Sequence, residues 1–569
     1  MKIGNRKSKI ANKYTNFLRF HLERLLLRGA GYRLLLIAVS IGLVTVLGGL
    51  LALSAAGGFA GPGEALWWAF LRLTDPGYLE SLSAEHRLEL KHYLGPDWDE
   101  GQIVFRSGSP LRLEHLRRVD FLRAAVIILP GSDFLDNGAE LMDAKTVKTL
   151  LSISRAEQGC SAEQLPLLTA EMNDIRKVPL ACSAYRGRSE IMAGDAVVSR
   201  LLIQNIRHQW LSLVYNEILS HGTGNEFFLK EFPELEGACF EQLESRFVQA
   251  VPLGLLRKQD GEINPMLNPP GDLRLEAGDR LVFLSRSYTD IMSLPSEQPC
   301  YPPRHKPARN FQVKRSRYIL FLGWNDRMPH LIQELDQFET ENFRLDILSR
   351  VPAADRIDQV GRYKSNPKRV SLAHLEGDYL VPSDLWDLNL SDYDTIVMLG
   401  SDRFESKEAA DARTLLGFYL VQEIMGSNTS RPRLLVELFD PDNSNLIQGS
   451  GVEVLVSPVI ISHILAHVAL RPELNLVFSE LFGSGGAEIY FKPSRVYGLN
   501  GQELQFGQIQ QTVSRQGDIA LGICLGPEGS GSRPVLQLNP NREARWSLQA
   551  KDAIVVLTTL ASPESGEMS

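Results

Sequence analysis

Cysteine is scarce in this 569-residue chain. Its five cysteines, Cys160, Cys182, Cys239, Cys300 and Cys524, are odd in number and widely spread, with no CxxC and no Cys/His cluster. That excludes a disulfide framework and a zinc finger or ribbon, and suits a reducing compartment. No GxSxG elbow and no Ser/His/Asp or Cys/His arrangement of readable spacing is present, so nothing marks a hydrolytic enzyme. The glycines never assemble a GxGxxG after a strand. Excess positive charge is also absent: the formal net charge is −8, which argues against a nucleic-acid surface.

Long apolar runs are lacking too, with one exception. Leu34 to Ala56 carries no charge. At about 1.5 Å per residue it reaches about 34 Å, enough for a hydrocarbon core of roughly 30 Å. It is therefore expected to be a transmembrane helix behind a basic tail, residues 1–33, that stays cytoplasmic. A cleaved signal peptide is the alternative, but its apolar core would be shorter. Residues 57–79 follow, with Trp67 and Trp68 suited to a membrane interface and a turn at Thr74-Asp75-Pro76-Gly77. This segment fits a pore helix with a filter-like loop, in which Asp75 from each subunit forms a carboxylate ring for cations. It also fits an interfacial helix ending in an ordinary turn.

The rest of the chain repeats itself over residues 101–290 and 317–560. Val119–Leu129 matches Leu388–Leu399 as a buried-strand pattern, each followed by Ser-Asp (Ser132-Asp133 and Ser401-Asp402). Asp143-Ala-Lys-Thr matches Asp411-Ala-Arg-Thr, and Asn216–Lys230 matches Ser479–Lys492. The LNP stretches beginning at Leu267 and Leu538 close each copy. Each repeat is expected to hold an α/β layer and a small β-rich module: 80–220 with 221–292, and 316–470 with 471–560, joined by a Pro-rich linker at 293–315. The second copy opens as strand 317–324, helix 325–335 and strand 343–349, the order of a mononucleotide-binding half, with one glycine, Gly323, at the turn. The first copy has no room for these elements, because only residues 80–101 precede its first matching strand. Dinucleotide binding by a Rossmann-type layer is one reading of this opening; a purely structural layer is the other.

Carboxylates cluster after the paired Ser-Asp motifs. Asp133, Asp136, Asn137, Glu140 and Asp143 share one face if helical, and Asp402, Glu405, Glu408 and Asp411 repeat the theme. Such clusters suit calcium, which takes six to eight oxygen ligands, and they equally suit helix N-termini. His463 and His467 lie four apart without a third ligand, and Glu217, Glu226, Glu480 and Glu488 recur near helix-to-strand turns.

The pieces ALWWAFLRLTDPG (65–77), RSGSPLRLEHLRRV (106–119), GDAVVSRLLIQ (194–204), LGWNDRM (322–328), ELFGSGGAEIYFKP (480–493) and RWSLQAKDAIVVL (545–557) resemble the CASTOR/POLLUX family. These are channels with paired RCK domains, regulators of conductance. The resemblance implies an α/β fold of two tandem RCK-type repeats, the first incomplete, behind a membrane helix and pore-like segment. It implies a homotetrameric cation channel in a bilayer, calcium as the usual ligand, and Thr74, Asp75, Pro76 and Gly77 as the filter. That filter differs from the TVGYG of potassium channels. The expected place is a bacterial plasma or inner membrane, with the RCK layers on the cytoplasmic side. The chain departs from the family around residues 79–100, where a second, pore-lining span is missing. A non-conducting, membrane-anchored regulator with RCK-like modules is the alternative, and a dinucleotide-binding enzyme a second one.

Overall fold

The computed structural model describes residues 108–131, 139–155, 161–220, 224–294, 314–363, 367–404, 406–426, 431–447, 451–526 and 533–559, plus isolated earlier positions. Of residues 139 and 140 only the backbone is described. The expected membrane helix and filter segment lie outside these stretches, save isolated positions in the helix. Among the described residues no helix is long and apolar enough to cross a membrane. Residues 1–124 with 155–158 form one unit, whose described part includes a short helix, Leu113–Arg118. Everything below concerns the second unit, residues 125–154 and 159–569.

The first layer is a parallel sheet of β1 (Val126–Leu129), β2 (Leu167–Met172) and β3 (Ser189–Ala193), in that order. Helix α1 (Ala139–Arg155) links β1 to β2. After β3 come α2 (Gly194–Arg207) and α3 (Leu211–Leu219). Next is an antiparallel module of β4 (Glu226–Glu231), β5 (Ala250–Gln259), β6 (Glu262–Leu267) and β7 (Arg280–Ser285), ordered β4-β7-β5-β6.

The second layer opens with β8 (Ser316–Leu322), α4 (Met328–Leu335), β9 (Asn342–Ser349), α5 (Ala353–Tyr363) and β10 (Val370–Glu376). It continues with β11 (Thr395–Met398), α6 (Lys407–Met425), β12 (Arg433–Leu438) and β13 (Glu453–Val456), then α7 (Ser457–Leu470) and α8 (Leu474–Phe482). Its six strands are parallel, ordered β10-β9-β8-β11-β12-β13. The chain therefore reverses direction across the sheet between β8 and β11, the place where open α/β sheets gather ligands. The second half of this sheet, β11-β12-β13, is the counterpart of β1-β2-β3. Burial explains the strand composition: all four β11 residues are buried, as a strand covered on both faces requires.

The second module contains β14 (Ala487–Pro493), β15 (Glu503–Gln505), β16 (Ile519–Leu525), β17 (Val535–Leu538), β18 (Arg545–Ser547) and β19 (Ala553–Thr559). Its main sheet, β14-β19-β16-β17, copies the order of the first module. The copies agree in detail. Gly254 and Gly522 each follow a register shift in the second strand. A Cβ there would lie 2.1 Å from Met266 O and 2.2 Å from Gln537 O, so only glycine fits.

The two copies are also knitted together. Asn268 and Asn539, both with left-handed backbones (φ 47° and 44°), reach across to the opposite module. Asn268 Nδ2 donates to Gly517 O (3.0 Å), and Asn539 Nδ2 donates to Gln249 O (2.8 Å). One hydrophobic cluster runs through α2, α4, α7, α8 and both modules, including Leu201, Leu331, Ile464, Phe478, Phe283 and Val555.

Candidate functional site

The carboxyl ends of the strands of both layers open on one cavity of about 440 Å³. Its second-layer wall is built at the strand reversal. β8 ends at Gly323, which needs its positive φ of 108° to turn the chain toward Asp326 and Arg327. β11 ends at Gly400-Ser401-Asp402, and Asp326 N donates to Asp402 Oδ2 (2.8 Å). Asp402 Oδ1 is buried and accepts no hydrogen bond. Burial, then the nearby Asp326, push the Asp402 carboxyl up to about 6. Glu437, at the end of β12 and fully buried, collects Gly400 N (3.2 Å), the Arg327 guanidinium and the Ser457 hydroxyl. Arg327 is thereby committed to Glu437.

The first-layer wall repeats this plan with different residues. Glu171 near the end of β2 accepts from Gly131 N (2.7 Å), as Glu437 does from Gly400 N. Gly194 stands where Ser457 stands in the second copy, and a Cβ there would meet Glu171 Oε1 at 2.9 Å. Asp195, 8% exposed, begins α2. Its carboxylate accepts Ala196 N (2.7 Å) and, at the limit of contact, Ile175 N (3.5 Å). Burial lifts it to about 7.

Side chains also cross between the layers. The Arg176 guanidinium lies 4.1 Å from the Tyr363 ring centroid. Arg176 donates to Asp174 from Nε and Nη2 (2.9 and 2.8 Å). Burial alone would raise Asp174, and these bonds more than reverse it, leaving the carboxyl below its usual range. Arg200 on α2 pairs with Glu334 on α4 at 3.1 Å, and His330 Nε2 lies 3.4 Å from the same carboxylate. Burial holds His330 below its ordinary pKa, hence neutral.

The residues singled out in the sequence fare unequally. Thr74, Asp75, Pro76, Gly77, Asp133, Asp136 and Glu405 lie outside the described residues, and for Glu140 only the helical backbone is described. Asp143 is buried, and its carboxylate is spent on Asn173 N (2.7 Å), Asp174 N (3.3 Å) and Lys177 Nζ (2.9 Å). Asp402 does face the cavity. Among the described residues no three His, Cys, Asp or Glu side chains converge as a metal site. His467 Nε2 is bonded to Leu219 O (3.0 Å). Glu226 and Glu488 are buried on β4 and β14, where Arg471 and Arg207 lie 3.7 and 2.7 Å from their carboxylates. Sequence reasoning missed Asp195, Arg176 and Tyr363. For Asp195 the available signal was a Gly-Asp pair opening an apolar helix directly after a strand.

Comparison with known proteins gives consistent relatives. Residues 195–298 match the family model described as Castor and Pollux, part of voltage-gated ion channel. The chain is 26% identical over 492 residues to the probable ion channel POLLUX of Arabidopsis thaliana, a match covering 80% of this chain and 58% of that one. It is 28% identical over 499 residues to the ion channel CASTOR of Lotus japonicus, covering 81% and 56%. The chain thus matches little more than half the length of these relatives. Among solved structures, the human SLO3 gating ring superposes with a TM-score of 0.62 at 13% identity, over 83% of this chain and 93% of that one. The shared feature there is the fold.

Proposed function

From its place in the CASTOR/POLLUX family, we propose that this chain is a subunit of a ligand-gated cation channel whose RCK-type layers form the gating part. The observation that carries this reading is the cavity, walled by the strand ends of both layers and spanned by Arg176 over Tyr363. A ligand held between two bodies shifts their equilibrium by the difference in its affinity for their arrangements. A shift of the layers is then available to pull on membrane helices. Calcium is the ligand class that the resemblance carries, and Thr74 to Gly77 the filter. Assembly as a homotetramer in a bilayer, with the layers in the cytoplasm, completes the reading.

Reconstitution of the purified chain in liposomes tests it. Cation flux that calcium changes, and that Asp75→Asn lowers without altering assembly, is the expected result. Absence of flux from a folded, oligomeric protein overturns the channel reading and leaves an anchored regulator.

A further inference from the structure

We propose that the cavity between the layers takes a small organic molecule bearing a protonated amine or guanidinium, held by Asp195 from one layer and Asp402 from the other. This rests on reading the cavity as a regulatory site, and it assigns that cavity an organic cation instead of the calcium that the family resemblance carries.

The argument starts from which polar groups are already satisfied. Four of the basic side chains on the walls have acidic partners: Arg327 holds Glu437, Arg176 holds Asp174, Lys177 holds Asp143 and Arg362 holds Asp358; Lys407 lines the cavity as well. Among the described residues, Asp195 and Asp402 on the walls take part in no ion pair of this kind. Asp402 keeps one buried oxygen without any hydrogen bond. The described hydrogen bonds of Asp195 come from backbone N–H groups. Both also titrate above their ordinary range because burial disfavours the ion, and Asp174 beside Asp195 and Asp326 beside Asp402 add repulsion. Asp195 and Asp402 thus present acceptors suited to a donor carrying positive charge.

The remaining surface selects an organic body over a bare ion. Pro329, Tyr363, Pro458 and Ile461 give the cavity an apolar flank. About 440 Å³ falls within the range of roughly 300–1,000 Å³ for small-molecule sites. Calcium wants about six to eight oxygens, and no three acidic, histidine or cysteine side chains converge among the described residues. An amine or guanidinium needs only two or three well-placed acceptors.

Agmatine, with an amine at one end and a guanidinium at the other, serves as the probe. It is titrated calorimetrically into the purified full chain, with adipate as an anion of similar length and calcium chloride as the bare cation. Saturable agmatine binding is expected, weakened at least tenfold by Asp195→Asn and by Asp402→Asn, with no binding of adipate. Ile461→Trp, which fills the cavity from its apolar flank and leaves Asp195 and Asp402 in place, should abolish it. The proposal falls if a cooperatively melting chain shows no saturable agmatine binding, or if all three variants bind it as the parent does. It falls equally if calcium alone binds and the Asp variants abolish that binding. Flux is read separately: agmatine bound without any change in flux leaves the ligand class standing and removes the gating role of the cavity.

Discussion

Asp143 and Asp411 are the same residue in two copies of one design. Each is the fifth residue of its helix, α1 or α6, and each holds two successive backbone N–H groups just past the middle strand of its β-β-β set. Asp143 takes Asn173 N and Asp174 N (2.7 and 3.3 Å); Asp411 takes Phe439 N and Asp440 N (both 2.9 Å). Asp411 adds Asn443 Nδ2 at 2.9 Å and is fully buried. The pair fastens a helix to the turn after the next strand.

Asp411→Ala is therefore expected to destabilise the chain by about 2–4 kcal/mol, because two buried amides lose their acceptor at about 1–3 kcal/mol each. Chemical denaturation reads this directly. The change should be the same with and without calcium. A loss of stability seen only with calcium would return Asp411 and its counterpart Asp143 to the role of metal ligands.

Gly254 and Gly522 offer a test of the repeat itself. A methyl group at either position would sit about 2 Å from a carbonyl oxygen of the neighbouring strand. Relief requires moving backbone, and overpacking of this kind costs typically ~1–3 kcal/mol or more. Gly254→Ala and Gly522→Ala should each lower the melting temperature by several degrees and to a similar extent. A tolerated substitution at one site alone would show that the two modules are not packed alike.

The repeat was legible because strands buried on both faces and turns with obligatory residues leave local patterns. The matched LNP stretches do mark the crossing asparagines, Asn268 and Asn539. The helices behind Asp143 and Asp411 were legible too, although Asp402 stands in the turn before α6 and Asp133, Asp136 and Glu405 lie outside the described residues. What Asp143 faces was not, because its partners are backbone amides some 30 residues away, and an amide has no sequence signature. The cavity was invisible for a similar reason: Arg176 and Tyr363 meet only when two layers are docked. Hydrophobic periodicity says which face of an element is buried, not which element covers it.

Asp195 predicts a pH dependence whose sign follows from its environment. In the unfolded chain its carboxyl titrates near 3.8, and in the folded chain near 7. Between these values the native state holds a proton that the unfolded state has lost, so stability declines as pH rises from about 4 to about 7. The groups facing it are Asp174 on its own layer, which adds to the penalty, and Arg327 on the other, which reduces it. Asp195→Asn removes the ionisation. Its melting temperature relative to the parent should rise between pH 4 and pH 8, with a ceiling of about 4 kcal/mol at about 1.4 kcal/mol per pKa unit. A difference independent of pH would mean that Asp195 is not buried as an isolated carboxyl.

The buried junction at Arg207 predicts the opposite slope on the acid side. Arg207, 4% exposed, donates from Nε to Glu341 (2.6 Å), from Nη1 to Glu488 (2.7 Å) and from Nη2 to Tyr490 Oη (3.2 Å), joining α2 to both the second layer and the second module. Arg207→Leu leaves two carboxylates in the interior with Arg317, on Glu341 at 2.7 Å, as the remaining guanidinium between them. A loss of about 3–5 kcal/mol is the expected cost of such a broken pair. Next to it, His208 packs against the Tyr490 ring at 4.1 Å. Burial, helped by Arg207, holds it down to about 4, although Glu488 pulls the other way. Below about 6.5 the unfolded chain takes up a proton that the native His208 refuses until about pH 4, so stability falls across that window as acid is added. His208→Gln should flatten the pH dependence of melting between 6.5 and 4. It should leave the further loss below pH 4.5, where Glu488 keeps its charge down to about 2 and then gives up its hold on Arg207. If the slope between 6.5 and 4 survives the substitution, the acid sensitivity of the junction belongs to another group.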